Sequence, residues 1–150
     1  MKLEDTITVQ APIEKIWNFL LDPVNLSSCI PGCEKIERLD THNYTSIIKV
    51  RVGPIPATFK IKSAITEITA PNHLVSVSKG DDKGKAGFLH MKSVFDLKAL
   101  SEDRTEIVGK SEVSIVGRLA TFGDRIIRGK AKQLLGTFKE ELKGRLERET

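Results

Sequence analysis

Aromatic residues are scarce in this chain, at 5% of its 150 residues, with a single tryptophan and a single tyrosine. That scarcity excludes the common single-strand nucleic-acid platforms, which need exposed aromatics interleaved with basic residues. No nucleic-acid partner is expected. Long hydrophobic runs are also missing: nowhere do about 18 uncharged apolar residues follow one another, as a membrane span requires. The opening MKLEDTITVQ is charged and alternating, with no apolar signal core, so a cytoplasmic location is expected. Two cysteines, Cys29 and Cys33, are too few for a structural zinc site, and free thiols are expected. The three histidines, His42, His73 and His90, lie in separate segments. None has a carboxylate or cysteine at a spacing that builds a metal site or a catalytic triad, so surface or edge positions are expected. The glycine-rich stretch Gly80-Asp81-Asp82-Lys83-Gly84-Lys85-Ala86-Gly87 fails as a phosphate loop. Gly84-Lys85 is followed by alanine and a strand pattern, where such a loop needs a hydroxyl residue and a helix.

What is present suits one domain over residues 1–150: 39% hydrophobic and 29% charged residues, with a net charge of +4. A chain of this length can bury roughly 68–70% of its unfolded surface without a disulfide or metal. Leu3 to Gln10 alternates as a first strand. Pro12 then opens a short helix through Ile13, Ile16, Trp17 and Leu20, and Asp22-Pro23 separates it from a further helical turn at Val24 to Ser28. Trp17 is read as core. Five strands follow the Ile30-Pro31-Gly32 loop: Tyr44 to Val52, Ile55 to Ile68, Leu74 to Lys79, Phe88 to Leu100 and Thr105 to Val116. Tyr44, Ser46, Ile48, Val50 and Val52 share one face, as do Ala57, Phe59, Ile61, Ser63 and Ile65. Leu89, Met91, Phe95 and Leu97 share another, which turns His90 outward. Ile107, Val113 and Ile115 lie on one face with Gly109 and Ser111, whose small size makes room for a ligand or for close packing. A one-residue error in this register would instead point Phe88, His90, Lys92 and Asp96 inward.

Leu119 to Arg148 reads as one long amphipathic helix, with Ile127, Ala131, Leu134, Leu135, Phe138, Leu142 and Leu146 on its apolar face. Its span of roughly 45 Å is enough to cross a sheet. Arg125, Arg128, Lys132, Lys139 and Lys143 form a basic stripe beside that face, the candidate surface for a membrane or a partner. Gly123, Gly129 and Gly136 are costly in a helix, and Gly123 is the candidate hinge for admitting a bulky ligand.

Strand, two short helices, a run of strands and a long last helix make an α+β domain. That order resembles the helix-grip fold of the START-like, polyketide-cyclase-like and Bet v 1-like superfamily. The resemblance implies a seven-stranded antiparallel sheet wrapped around the C-terminal helix and a hydrophobic cavity between them. Three motifs resemble the carbon monoxide dehydrogenase CoxG family more specifically: Ile30-Pro31-Gly32-Cys33-Glu34; Val52-Gly53-Pro54 with Phe59; and Val116-Gly117-Arg118-Leu119-Ala120-Thr121-Phe122-Gly123-Asp124-Arg125. Proteins of that family are similar to accessory proteins encoded with molybdenum-containing carbon monoxide dehydrogenases.

The resemblance implies a non-catalytic protein that binds a hydrophobic small molecule, a quinone or lipid, and links such a dehydrogenase or a related hydroxylase to the inner face of the membrane. It requires no cofactor or metal. Candidate cavity residues are Tyr44, Phe59, Ile61, Leu89, Met91, Phe95, Phe122, Ile126, Leu134 and Phe138, and the Gly80 to Gly87 loop is a candidate lid. Two alternatives stand beside this: an adaptor with a filled interior, and a cyclase- or hydrolase-like enzyme acting on an apolar substrate. An enzyme would need an inward ionisable group, for which Tyr44, Glu67 and His90 are the candidates.

Overall fold

Alternation with a period of two puts the apolar side chains of each strand on one side, and the computed structural model, which describes residues 1–82 and 87–148, joins those sides into one concave surface. The elements are β1 (Lys2–Val9), α1 (Ile13–Leu21), α2 (Pro23–Ser28), β2 (Cys33–Arg38), β3 (Asn43–Val52), β4 (Ile55–Thr69), β5 (His73–Asp81), β6 (Phe88–Ser101), β7 (Arg104–Val116), a 3₁₀ turn (Arg118–Phe122) and α3 (Asp124–Arg148). The seven strands are ordered β1-β7-β6-β5-β4-β3-β2, every neighbouring pair antiparallel. With α3 across it, this is the helix-grip fold. From β2 onward each strand pairs with the next, whereas α1 and α2 carry the chain from one sheet edge to the other. Asp22 sets the junction between those helices: its carboxylate accepts from the Val24 amide at 2.9 Å, beside Pro23 at the first turn.

Two features depart from the sequence reading. The strand β2, Cys33–Arg38, is not among those that alternation locates. Its Glu34, Lys35, Glu37 and Arg38 are all exposed, so an edge strand with one half-buried isoleucine carries almost no apolar signal. The last helix is also not continuous from Leu119. Gly123 adopts φ +87°, outside helical backbone, and separates the 3₁₀ turn from α3. Leu119 is nevertheless buried, because the 3₁₀ turn folds it onto the sheet.

The interior divides into two apolar clusters. One holds Trp17, Leu20, Leu74, Leu97, Ile107, Leu142 and Leu146, so α1 and the end of α3 pack together over the sheet. The other holds Ile48, Val52, Ile55, Phe59, Ile61, Leu119 and Ile127, under the start of α3. α3 is thus pinned at both ends. Each end buries leucine or isoleucine side chains, at about 1.5–3 kcal/mol for each one fully buried.

Candidate ligand-binding site

Between the two clusters, the concave surface changes character. Tyr44 and Ser46 on β3, Ser63 on β4, Ser78 on β5 and Ser93 on β6 are all buried there. The alternation of these strands directs them to the same side as Ile48, Ile61 and Leu97. Ser63 and Ser78 are register partners whose hydroxyls lie 2.7 Å apart, and Ser93 meets Ser111 of β7 at 3.4 Å. Tyr44 is the register partner of Ser63, and burial pushes its pKa up, so it stays a protonated hydroxyl rather than a base. A belt of hydroxyls therefore crosses the sheet between two apolar ends. The sequence reading puts Ser46, Ser63 and Ser111 on inner faces without reading them as a site. The missed signal is serine recurring in the apolar register of adjacent strands.

The ten candidate cavity residues do not form one group. Phe59 and Ile61 are buried in the cluster at the start of α3, with Leu89 and Phe122 packed against it. Phe95 and Phe138 pack against the other cluster. Met91 and Leu134 are half-buried and belong to neither, as does Leu135. Ile126 is a correction: it is 48% exposed, because Ile127 takes the inward position and one residue turns a helix by about 100°. At Gly109 the small residue serves close packing, since the space above it is filled by the Phe95 ring, 3.6 Å from where a β-carbon would stand. The room lies at the middle of α3, where apolar side chains facing the sheet keep partial solvent access.

The basic stripe divides as well. Lys139 pairs with Asp5 of β1 at 2.8 Å, and the Arg128 guanidinium donates to the Lys2 carbonyl at 3.2 Å. These two clasp α3 to the sheet edge on either side of a groove of about 360 Å³ lined by Leu3, Glu4, Lys132, Leu135 and Gly136 among others. Arg125, Lys132 and Lys143 are exposed and have no ion-pair partner among the described residues. Lys83 to Ala86, the centre of the candidate lid, lie outside the described residues.

The polar groups that an enzyme reading would use lie elsewhere. His90 is exposed, as its outward register predicts, and Glu67 is exposed on the outer face, which corrects its candidacy as an inward group. There the fold builds a pairing that spacing does not reveal: His73 Nδ1 meets Asp96 at 2.6 Å and Nε2 meets Glu67 at 3.2 Å. The Asp96 and Glu67 hydrogen bonds raise the His73 pKa. No group of three metal-ligating side chains occurs among the described residues. Both thiols are free, and burial pushes both up in pKa, away from reactivity. No helix among the described residues is long and apolar enough to cross a membrane.

Solved structures share this architecture. A conserved protein from Geobacillus kaustophilus superposes with a TM-score of 0.88 at 23% identity, over 97% of this chain and 95% of that one. A START superfamily protein from Mycobacterium smegmatis gives 0.78 at 16% identity, over 99% of both chains. The Zhui aromatase/cyclase from a Streptomyces species gives 0.71 at 18% identity, over 99% of this chain and 94% of that one. At these identities the likeness is one of fold. No curated protein sequence matches the chain. The sequence model of the carbon monoxide dehydrogenase CoxG family, in contrast, matches residues 6–147, and family and fold together suggest a hydrophobic-ligand-binding accessory protein. The chain belongs to the carbon monoxide dehydrogenase CoxG family.

Proposed function

We propose that this protein binds a quinone or isoprenoid lipid between the sheet and α3, and that it serves as a non-catalytic accessory linking a molybdenum-containing dehydrogenase to the membrane. The observation that carries the first half is the middle of α3. Met91, Leu134 and Leu135 are apolar yet only half-buried and outside both clusters, so apolar surface there is left for a ligand to cover. A ligand that hides about 300 Å² of apolar surface gains roughly 7 kcal/mol before the cost of immobilising it. The second half rests on family membership and on the exposed Arg125, Lys132 and Lys143. At about 1 kcal/mol for each well-placed basic residue, those three support reversible docking on anionic lipid.

Native mass spectrometry of the purified protein, before and after incubation with a panel of quinones and phospholipids, tests the binding step. The expected result is a one-to-one adduct that disappears in Phe138→Asp or Phe95→Asp, each checked by circular dichroism for retained fold. Absence of any apolar adduct would instead favour an adaptor that works through its surface alone.

A further inference from the structure

The hydroxyl belt goes beyond what an apolar carrier needs. Within the described residues, the buried polar side chains other than Tyr44 are Ser27, Ser46, Ser63, Ser78, Ser93 and Thr105. Every one is a hydroxyl and none carries a charge. Thr105 is satisfied by the Ala11 carbonyl at 2.9 Å, far from the belt in register. Ser63 bonds to Ser78 at 2.7 Å, and Tyr44 on β3 is the register partner of Ser63. Each hydroxyl owns one proton, and the single Ser63–Ser78 link uses one of that pair's two. One donor is left over. Ser46, only two residues from Tyr44 on the same face, is 4% exposed and has no hydrogen-bond partner among the described residues. No fully enclosed side-chain oxygen among those residues lacks a partner, so the Ser46 hydroxyl keeps some accessible surface, and the alternation of β3 puts it on the inner face. Alanine would fill this position without the cost of burying a hydroxyl.

Resting on the reading of this space as a ligand site, we infer that the belt holds a neutral oxygen function of the ligand, a quinone or other carbonyl oxygen. Unspent O–H protons call for an acceptor. The absence of buried charge argues against an anion, whose desolvation would need a buried cation beside it. Lys139, the cation of the sheet-edge groove, is already paired with Asp5. The oxygenated part of the ligand therefore sits against Ser46, Tyr44 and the Ser63–Ser78 pair. Its hydrocarbon lies along Met91, Leu134 and Leu135.

A competition measured by native mass spectrometry separates this inference from the reading beneath it. The probes are an isoprenoid quinone and a pure isoprenoid hydrocarbon of the same carbon count. Wild-type protein is expected to prefer the quinone, and Ser46→Ala and Tyr44→Phe are each expected to reduce that preference about fivefold, the effect of one lost hydrogen bond. Hydrocarbon binding should stay unchanged in both. Ser114→Ala, on the exposed outer face of β7, should leave every value as it was. Tyr44→Phe removes a single oxygen, and melting temperature reports whether either variant has lost its fold. Equal binding of the two probes, or variants that keep the wild-type ratio, would overturn the inference while leaving a carrier in place. Binding of neither probe overturns both.

Discussion

Gly32 and Gly136 show how differently one residue type can act in this chain. Gly32, in the Ile30-Pro31-Gly32-Cys33 motif, has φ +83°, and a β-carbon there would lie 2.1 Å from the Lys49 carbonyl oxygen. Gly32→Ala should therefore destabilise by about 2 kcal/mol or more, read as a lower midpoint in urea. At Gly136 a β-carbon meets nothing within 4 Å, and Gly136→Ala should stabilise by about 1 kcal/mol through helix propensity. His73 provides a pH-dependent contrast. Its pKa is raised by Asp96 and Glu67, so its contribution is fully present below the ordinary histidine value of about 6.5 and is lost as pH rises through the elevated value. The melting-temperature difference between wild type and Asp96→Asn should accordingly be larger at about pH 5.5 than at about pH 8.5. A difference independent of pH would mean that the imidazolium is not the stabilised form.

Among the elements, α3 depends on its ends. Leu142 and Leu146 are 2% and 0% exposed, and truncating Leu146 to alanine should cost about 3 kcal/mol, seen in chemical denaturation. The Lys139–Asp5 pair contributes less, because both side chains are more than a third exposed. A double-mutant cycle should give a coupling of about 0.5 kcal/mol that shrinks in high salt. Packing therefore anchors this helix, while the ion pair and the Arg128 bond set which sheet edge it leans on. At the other end of α3, Gly123 makes a break that helical periodicity does not reveal. Apolar spacing continues across residues 119–127, but a helical backbone cannot pass through a positive φ.

For the whole molecule, charge is distributed unevenly between structure and surface. Arg128 and Lys139 are committed to β1, so vesicle binding should depend on the three basic side chains that face solvent. Replacing Arg125, Lys132 and Lys143 together with glutamine should abolish sedimentation with anionic phospholipid vesicles and leave the melting temperature within about 1 °C, since exposed charges contribute little to stability. Sedimentation that survives the triple replacement would move the membrane contact to another surface.

Much of this fold is legible in the residues alone. Strands β3, β4, β6 and β7 can be read with their inner faces, because alternation of apolar and charged residues follows directly from a half-buried pleat. The order of elements and three short motifs carry the family. The edge strand β2 is not legible, because burial leaves its pattern only on strands that are covered. Nor can periodicity show that ten candidate lining residues divide between two clusters, or that Ile126 faces outward, because those outcomes depend on where α3 lies across the sheet. The His73–Asp96–Glu67 contact joins three strands through register, and the Ser63–Ser78 bond joins two on the opposite face. Residue pattern settles which side chains each element can hide. Which hidden side chains meet is left to tertiary packing, because pairing between strands follows register and crossing angle rather than neighbourhood along the chain.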